Sequence, residues 1–287
     1  MKALTFNLGI TINDVPEKEV NRDFVLIRPT RVLINGLENA IYVGLLWVEP
    51  FRILGSTGIG KIESVGLDID KSLEGKLVLV LPYSQTYGGI GTEIDGLLSE
   101  KASIPFDSIV LLPQSKFSEK YILYPYASFA LQLPNYINNG NTLIIGSGLY
   151  GIISALYLKD IVSKVIIYRE DGVSPKIIGV EETRHLSQEW DNIIITTFKS
   201  WVRAFLDDIS KSNTRVIMPK LMNTWPLVSS NKIRFIIPKE IDGALEFIDK
   251  KISDKLFSEL VAFSNDLLAS FPASKAGVII KVDEIFK

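Results

Sequence analysis

Short apolar runs alternate with amphipathic segments through the second half of the chain. Six runs have the length of buried strands, at residues 143–145, 164–168, 176–180, 191–197, 215–221 and 233–237. Helical spacing of apolar residues follows the first run and recurs at 201–212 and 241–252. Because parallel strands covered by helices produce this alternation, the second half predicts a doubly wound parallel sheet.

The first part of the chain has the pattern of β-structure instead. Apolar or alternating runs separated by Gly and Pro predict short strands at 24–27, 31–34, 58–65, 76–81 and 92–98. Strands at this spacing are typical of a small barrel. The remaining segments predict helices at 118–133 and 256–268 and a closing strand at 277–282.

Two domains follow from this order of elements. We predict an α/β protein in which a β-barrel domain covers residues 1–120 and is completed by 253–287. A Rossmann-type domain with a doubly wound parallel sheet covers 121–252. A length of 287 residues is enough for two domains with a substantial core.

The turn after residues 143–145 carries the pattern Gly-x-Gly-x-x-Gly between a predicted strand and a predicted helix. In dinucleotide-binding proteins the first glycine permits the turn, the second lets a pyrophosphate approach the backbone, and the third lets the helix pack closely. The alternative is a tight turn that binds nothing. The residues predicted to contact a dinucleotide here are Gly146, Ser147, Gly148, Leu149, Tyr150 and Gly151.

Composition excludes several other functions. The net charge of −2 with no basic block gives no electrostatic footprint for nucleic acid. Absence of Cys and a single His exclude disulfides, thiolate-bound zinc and a His-rich metal centre. Pro and Asn break the uncharged segment 121–158 into pieces too short to span a membrane. We therefore expect a cytoplasmic protein, and the Ile- and Lys-rich, Cys-free composition favours a heat-adapted source.

Three ordered motifs around the glycine turn resemble the medium-chain dehydrogenase/reductase superfamily, which contains the alcohol dehydrogenase-like proteins. Residues 53–66, Ile-Leu-Gly-Ser-Thr-Gly-Ile-Gly-Lys-Ile-Glu-Ser-Val-Gly, resemble the family's I-L-G-H-E-G-x-G-x-V-x-x-V-G segment. Residues 73–80 and 274–282 resemble two of its strands. The resemblance covers nearly the whole chain and implies a GroES-like barrel, a Rossmann domain and NAD(P)-dependent oxidoreductase activity.

The chain departs from the family at its catalytic zinc. The positions of the zinc ligands fall on Asn35, Ser56 and Tyr124, which are neutral groups with little affinity for Zn²⁺. The glutamate after the family's histidine becomes Thr57 and the proton-relay hydroxyl becomes Leu37. We therefore expect a zinc-free member.

Zinc-free members of the superfamily resemble quinone and enoyl reductases, in which hydride passes directly to a conjugated substrate. The protein then supplies orientation and a hydrogen-bond donor for the developing oxyanion. Candidate donors are Tyr42, Tyr83 and Tyr87, and the alternative for each is an ordinary half-buried aromatic. The expected partner is a small-molecule substrate. A homodimer formed through residues 233–237 is compatible with the sequence and not required by it.

The end of the second strand predicts the choice of cofactor. Tyr168 or Arg169 occupies the place where an acidic residue binds the ribose of NAD. Because an arginine there can pair with a 2′-phosphate, the sequence favours NADP over NAD. Glu170 argues for NAD if the strand is longer.

The connection between the second and third strands is unusually short. Only residues 169–175 separate them, whereas a parallel crossover with its helix needs about ten to twelve residues or more. Either a crossover helix is missing or residues 176–180 do not pair as predicted. Together with the lost zinc ligands this supports an alternative function, a catalytically degenerate nucleotide-binding or assembly protein.

Overall fold

The computed structural model of the chain describes residues 1–169, 174–186, 190–222 and 232–286. The chain divides into two compact units, Met1–Pro125 with Val261–Lys287, and Tyr126–Leu260. The strands, in chain order from β1 to β18, are Lys2–Phe6, Ile10–Asp14, Phe24–Ile34, Arg52–Ile53, Gly58–Val65, Leu77–Val80, Tyr83–Ser84, Gly88–Gly89, Ala102–Pro105, Ile109–Leu111, Asn141–Ile145, Lys164–Tyr168, Glu181–Thr183, Asn192–Ile195, Arg215–Pro219, Ile233–Ile236, Val261–Ser264 and Gly277–Lys281. The α-helices, from α1 to α8, are Gly36–Tyr42, Tyr124–Gln132, Leu149–Leu158, Trp201–Ala204, Leu206–Ile209, Ala244–Lys251, Asp254–Leu260 and Val282–Ile285.

The first unit is built from β-strands around one apolar core. Its main sheet has the order β10-β6-β5-β3-β18-β17, with β9 also paired to β3. A smaller sheet, β2-β1-β4, and the hairpin β7-β8 complete it. Leu4, Val25, Ile62 and Val78 are fully or almost fully buried in the common core. The tail of the chain enters the sheet as β18, which pairs antiparallel with β3.

The second unit has a six-stranded sheet of order β13-β12-β11-β14-β15-β16, with every pairing parallel. In chain order this is 3-2-1-4-5-6, the doubly wound arrangement. Strand order reverses between β11 and β14, and in such sheets the ligand binds beyond the carboxyl ends of the strands at that point. The predicted fold class is therefore confirmed, with a Rossmann sheet and a separate β unit.

The structure corrects three predictions in the first unit and the tail. The predicted strands 24–27 and 31–34 are a single strand, because shifts of register near Leu26 and Pro29 absorb the proline. The predicted strand at 92–98 is absent, since the N–H groups of Thr92 and Glu93 turn back onto the carbonyl of Gly89. The predicted helix at 256–268 ends at Leu260, where β17 begins and pairs parallel with β18.

Two predictions in the Rossmann unit also change. Residues 176–180 form no strand, because Gly179 turns the chain with φ +84°. The third strand is Glu181–Thr183, whose polar, exposed residues carry no hydrophobic signal. The predicted helix at 201–212 is interrupted at Phe205, where the backbone leaves the helical region. In the described residues of the β12–β13 connection, Arg169 and 174–180, there is no helix.

Among the residues that the structure describes, no helix combines the length and the apolar composition needed to cross a bilayer.

Candidate functional site

The turn between β11 and α3 requires glycine at its first position. Gly146 has φ +112°, a conformation that L-residues with side chains rarely adopt. A Cβ atom there would also lie 2.8 Å from both the carbonyl oxygen and Oγ1 of Thr196. The Gly146 N–H donates to the Tyr168 carbonyl oxygen over 3.1 Å, which ties the turn to the end of β12.

Gly151, the third glycine, is required for a different reason. A Cβ atom on Gly151 would lie 2.0 Å from the carbonyl oxygen of Gly146. That contact is with backbone, which cannot rotate away as a flexible side chain would. Glycine at this position therefore lets α3 pack directly against the turn, as the motif predicts.

Gly148 is different, because neither the fold nor its packing requires a glycine there. It is the N-cap residue of α3 with φ −69°, a conformation open to every residue. A Cβ atom on Gly148 would meet nothing within 4 Å. The first N–H groups of a helix have no intrahelical partners and lie at the positive end of its dipole. The space above Gly148 is therefore open to an anionic group, and a phosphate approaching the backbone accounts for a glycine that the fold does not need.

Two side chains that sequence reasoning missed hold this turn in place. Thr196 directly follows β14 and its Oγ1 lies 3.1 Å from the carbonyl oxygens of both Ile145 and Gly146. Ser174 is buried and its hydroxyl donates to the carbonyl of Ser147. The reversal of strand order beside β14 was the signal for Thr196, whereas nothing in the sequence pattern pointed to Ser174.

Leu149 and Tyr150 lie in the core of the second unit. Both are nearly fully buried, and the Tyr150 ring packs edge-on against Tyr126 and Phe129, with centroids 4.6 and 5.2 Å away. Burial raises the pKa of Tyr150 above its ordinary range. Its hydroxyl has no hydrogen-bond partner among the described residues.

The end of β12 places Tyr168 and Arg169 beside different neighbours. The ring of Tyr168 lies edge-on to Trp201, with centroids 6.0 Å apart. The Arg169 guanidinium donates to Glu182 over 2.8 Å and to the Ser174 carbonyl over 2.6 Å. Residue 170, the alternative acidic candidate, lies outside the described residues.

The three candidate donor tyrosines all lie in the first unit, on two separate elements. Tyr42 ends α1 and is 45% exposed, with its ring tilted against Phe271. Tyr83 begins β7, and burial, followed by the charge of Glu93, raises its pKa.

Tyr87 is already engaged. Its hydroxyl donates to Oδ2 of Asp23 over 2.7 Å, and this bond raises the pKa of Tyr87. Tyr83 and Tyr87 belong to the same hairpin, since Tyr83 begins β7 and Tyr87 directly precedes β8. The hydrogen bonds of the described residues give the hydroxyls of Tyr42 and Tyr83 no such carboxylate partner, and both remain candidate donors.

Two of the three positions of the family's zinc ligands, Asn35 and Ser56, belong to a hydrogen-bonded cluster around Glu38. Oε1 of Glu38 accepts from the Ser56 N–H over 2.8 Å and from the Ser56 hydroxyl over 2.7 Å. Oε2 accepts from the Asn35 N–H over 3.0 Å. The Asn35 amide oxygen caps α1 by accepting from the Leu37 N–H.

The side chains of this cluster form hydrogen bonds with one another and are poor ligands for Zn²⁺. Ser56 and Asn35 offer a hydroxyl and an amide that are already hydrogen-bonded, where zinc prefers thiolate and imidazole. In the described part of the chain, no group of three or more His, Cys, Asp or Glu side chains could hold a metal ion. The residues therefore do not fit the family's zinc, and zinc independence stays a prediction.

Removing the Glu38 carboxylate should destabilise the first unit. Glu38→Ala leaves the N–H groups of Asn35 and Ser56 and the Ser56 hydroxyl without an acceptor in a buried site, at a cost of about 3 kcal/mol. Urea denaturation would measure this loss. A change in the free energy of unfolding near zero would contradict the account.

The pH dependence of stability should also change at Glu38. Burial raises its pKa above the ordinary value of 4.5, so the folded state holds the proton more tightly than the unfolded state. The contribution of Glu38 to stability is therefore largest below pH 4.5 and declines as pH rises through its raised pKa. Relative to Glu38→Gln, the wild-type free energy of unfolding should fall with rising pH in that window. A flat or rising difference would contradict this sign.

Comparison with known proteins identifies the fold but no close relative. No sequence model of a protein family matches the chain, and no curated protein matches it in sequence. Solved structures do match over almost the full length of both chains.

Three of these structures illustrate the likeness. Glucose dehydrogenase from Haloferax mediterranei, in complex with NADP, Zn and gluconolactone, superposes with a TM-score of 0.73 at 14% identity, covering 98% of this chain and 99% of that one. Acetophenone reductase from Geotrichum candidum, in complex with NAD, gives 0.70 at 16% identity, covering 99% and 98%. The 2R,3R-butanediol dehydrogenase from Bacillus subtilis gives 0.67 at 16%, covering 98% and 99%.

The fold is thus that of a two-unit protein with a Rossmann sheet and a separate β unit. More particularly, it is the fold of the medium-chain, alcohol dehydrogenase-like proteins, and the resemblance predicted from the sequence motifs is confirmed at that level.

Proposed function

We propose that this protein is a zinc-independent, NAD(P)-dependent oxidoreductase that transfers hydride to a small carbonyl or conjugated substrate. The open space at Gly148 carries the proposal. The fold requires two glycines of the motif but not Gly148 at the start of α3, and the approach of a ligand would account for that third glycine. Similar folds have been solved with NADP or NAD bound, which supports a nicotinamide cofactor.

The residues of the second unit have distinct parts in holding such a cofactor. The N–H groups at the start of α3 would receive the pyrophosphate above Gly148. Thr196 and Ser174 keep the turn rigid, so the N–H groups need not reorganise on binding. Tyr168 and Arg169 lie at the end of β12, where the adenosine ribose binds in this type of sheet. When bound, the nicotinamide supplies or accepts the hydride.

Tyr42, Tyr83 and Tyr87 are the candidate donors for the oxygen that becomes negative during reduction. Tyr83→Phe or Tyr42→Phe should lower kcat about 100-fold if that hydroxyl is the donor. Tyr87→Phe is the matched control, because its hydroxyl is already bound to Asp23. Equal, small effects of all three changes on kcat would contradict a tyrosine donor.

A substrate panel tests the activity. Purified protein is mixed with NADPH or NADH and with aldehydes, ketones, enones and quinones, and the loss of reduced cofactor is followed before and after dialysis against EDTA. We expect turnover of at least one compound that EDTA leaves unchanged. Activity that EDTA removes and Zn²⁺ restores would contradict zinc independence.

A second function is favoured by the connection between β12 and β13. Its described residues contain no helix, and the corresponding part of this fold flanks the adenosine half of the cofactor. The absence of a helix from these described residues is compatible with a catalytically degenerate protein that binds nucleotide or assembles as a homodimer through the edge strand β16. Cofactor binding without turnover of any compound in the panel would favour this alternative.

A further inference from the structure

Arg169 does not present a free guanidinium at the end of β12. Its Nη1 donates to the Ser174 carbonyl over 2.6 Å. Its Nη2 donates to the Pro175 carbonyl over 3.2 Å and to Oε1 of Glu182 over 2.8 Å. The side chain is only 13% exposed. The positive charge that favoured NADP in the sequence is therefore already paired within the chain.

The parallel pairing of β13 with β12 explains why Glu182 can reach Arg169. Residues 169–180 connect the two strands, because β13 begins at Glu181 and not at residue 176 as predicted. Glu182 lies opposite Ile167, one residue before the end of β12. Its side chain is 28% exposed, so its carboxylate is reachable from solvent as well as from Arg169.

The neighbouring Glu181 provides a natural comparison. Successive residues of a strand point to opposite faces of the sheet, and Glu181 pairs with Lys164 at the start of β12, far along the strand from Arg169. Glu181 and Glu182 therefore carry the same charge on the same strand, but only Glu182 pairs with Arg169 at the end of β12.

We propose that Glu182 sets the cofactor preference of this protein in favour of NAD(H); this inference rests on the proposed function. A 2′-phosphate approaching Arg169 would meet the carboxylate of Glu182, and like charges brought together in a binding site oppose binding. A ribose 2′-hydroxyl would instead find a carboxylate that can accept its hydrogen bond. Glu182 thus performs from the third strand the task that an acidic residue usually performs at the end of the second.

The test is calorimetric titration with NADH and NADPH of wild type, Glu182→Gln and the control Glu181→Gln. We expect wild type to bind NADH at least about tenfold more tightly than NADPH. Glu182→Gln should shift that ratio toward NADPH by about tenfold or more, chiefly by strengthening NADPH binding, because it removes the carboxylate that repels a 2′-phosphate and leaves the charge of Arg169 uncompensated. Glu181→Gln should leave the ratio unchanged.

A double-mutant cycle separates this role from a structural one. Arg169→Gln alone should change NADPH binding little, since the guanidinium is paired in wild type. In the Glu182→Gln background the same change should remove the affinity for NADPH that was gained. Thermal melting checks that each variant folds, and Glu182→Ala serves as a second replacement with the same expectation.

The outcomes distinguish the two proposals. Binding of both cofactors with a ratio that Glu182→Gln and Glu182→Ala do not change, or a wild type that prefers NADPH, would overturn this inference and leave the proposed function standing. Failure of every variant and of wild type to bind either cofactor would overturn both.

Discussion

Gly148→Asp is expected to abolish cofactor binding while leaving the fold as stable as wild type, or more stable. The open space at this position means that the new side chain meets no neighbour. Asp is also a favoured N-cap residue, so it should support the start of α3. The same carboxylate would occupy the space of the phosphate and repel it. Losing about two charge-assisted hydrogen bonds corresponds to at least a ~100-fold weaker affinity.

Calorimetry and thermal melting of the same samples measure both halves of this prediction. Gly9→Asp is the matched control, because a Cβ atom on Gly9 also meets nothing within 4 Å and Gly9 belongs to the other unit. It adds the same charge and should change neither affinity nor stability. A Gly148→Asp variant that binds cofactor like wild type would mean that the open space serves no phosphate.

Gly151→Ala is expected to have the opposite effect on stability: it should destabilise the fold around the turn. The added Cβ would lie 2.0 Å from the Gly146 carbonyl oxygen and 2.8 Å from Thr196 Oγ1. Either α3 moves away from β11 or the turn opens, and overpacking of this kind costs about 3 kcal/mol or more. Urea denaturation of the purified variant measures the loss.

Ser154→Ala provides the control on the same helix. Ser154 is fully buried and its hydroxyl has no hydrogen-bond partner among the described residues. Removing an unpaired buried hydroxyl should leave stability unchanged or raise it by about 1 kcal/mol. If Gly151→Ala proved as stable as Ser154→Ala, the close packing of α3 on the turn would be refuted.

The Rossmann unit was predictable wherever its strands are buried. β11, β12 and β14 carry continuous apolar runs, and the sequence located all three. β13 was misplaced because Glu181 and Glu182 form an exposed edge strand, which needs no hydrophobic residues. The error had a functional consequence, since the residue that pairs with Arg169 lies on that strand.

The candidate catalytic centre was less predictable, because its geometry depends on contacts between distant residues. The sequence predicted that the family's zinc ligands are absent, but not that a buried Glu38 joins Asn35 and Ser56 by hydrogen bonds. Likewise, Tyr42, Tyr83 and Tyr87 are equivalent in the sequence, and only the bond from Tyr87 to Asp23 separates them. These hydrogen bonds join residues that are 18 and 64 positions apart, and such distant pairs leave no periodic pattern in the sequence.

The most direct test of the account is the titration of purified wild-type protein with NADH and with NADPH in the presence of EDTA. Heat and tryptophan fluorescence are followed together, because the ring centroid of Trp201 lies 6.0 Å from that of Tyr168. The account predicts one cofactor bound per chain with micromolar affinity and a change in tryptophan emission. No heat and no emission change with either cofactor at millimolar concentration would contradict it, and would show that the glycine turn serves the fold alone.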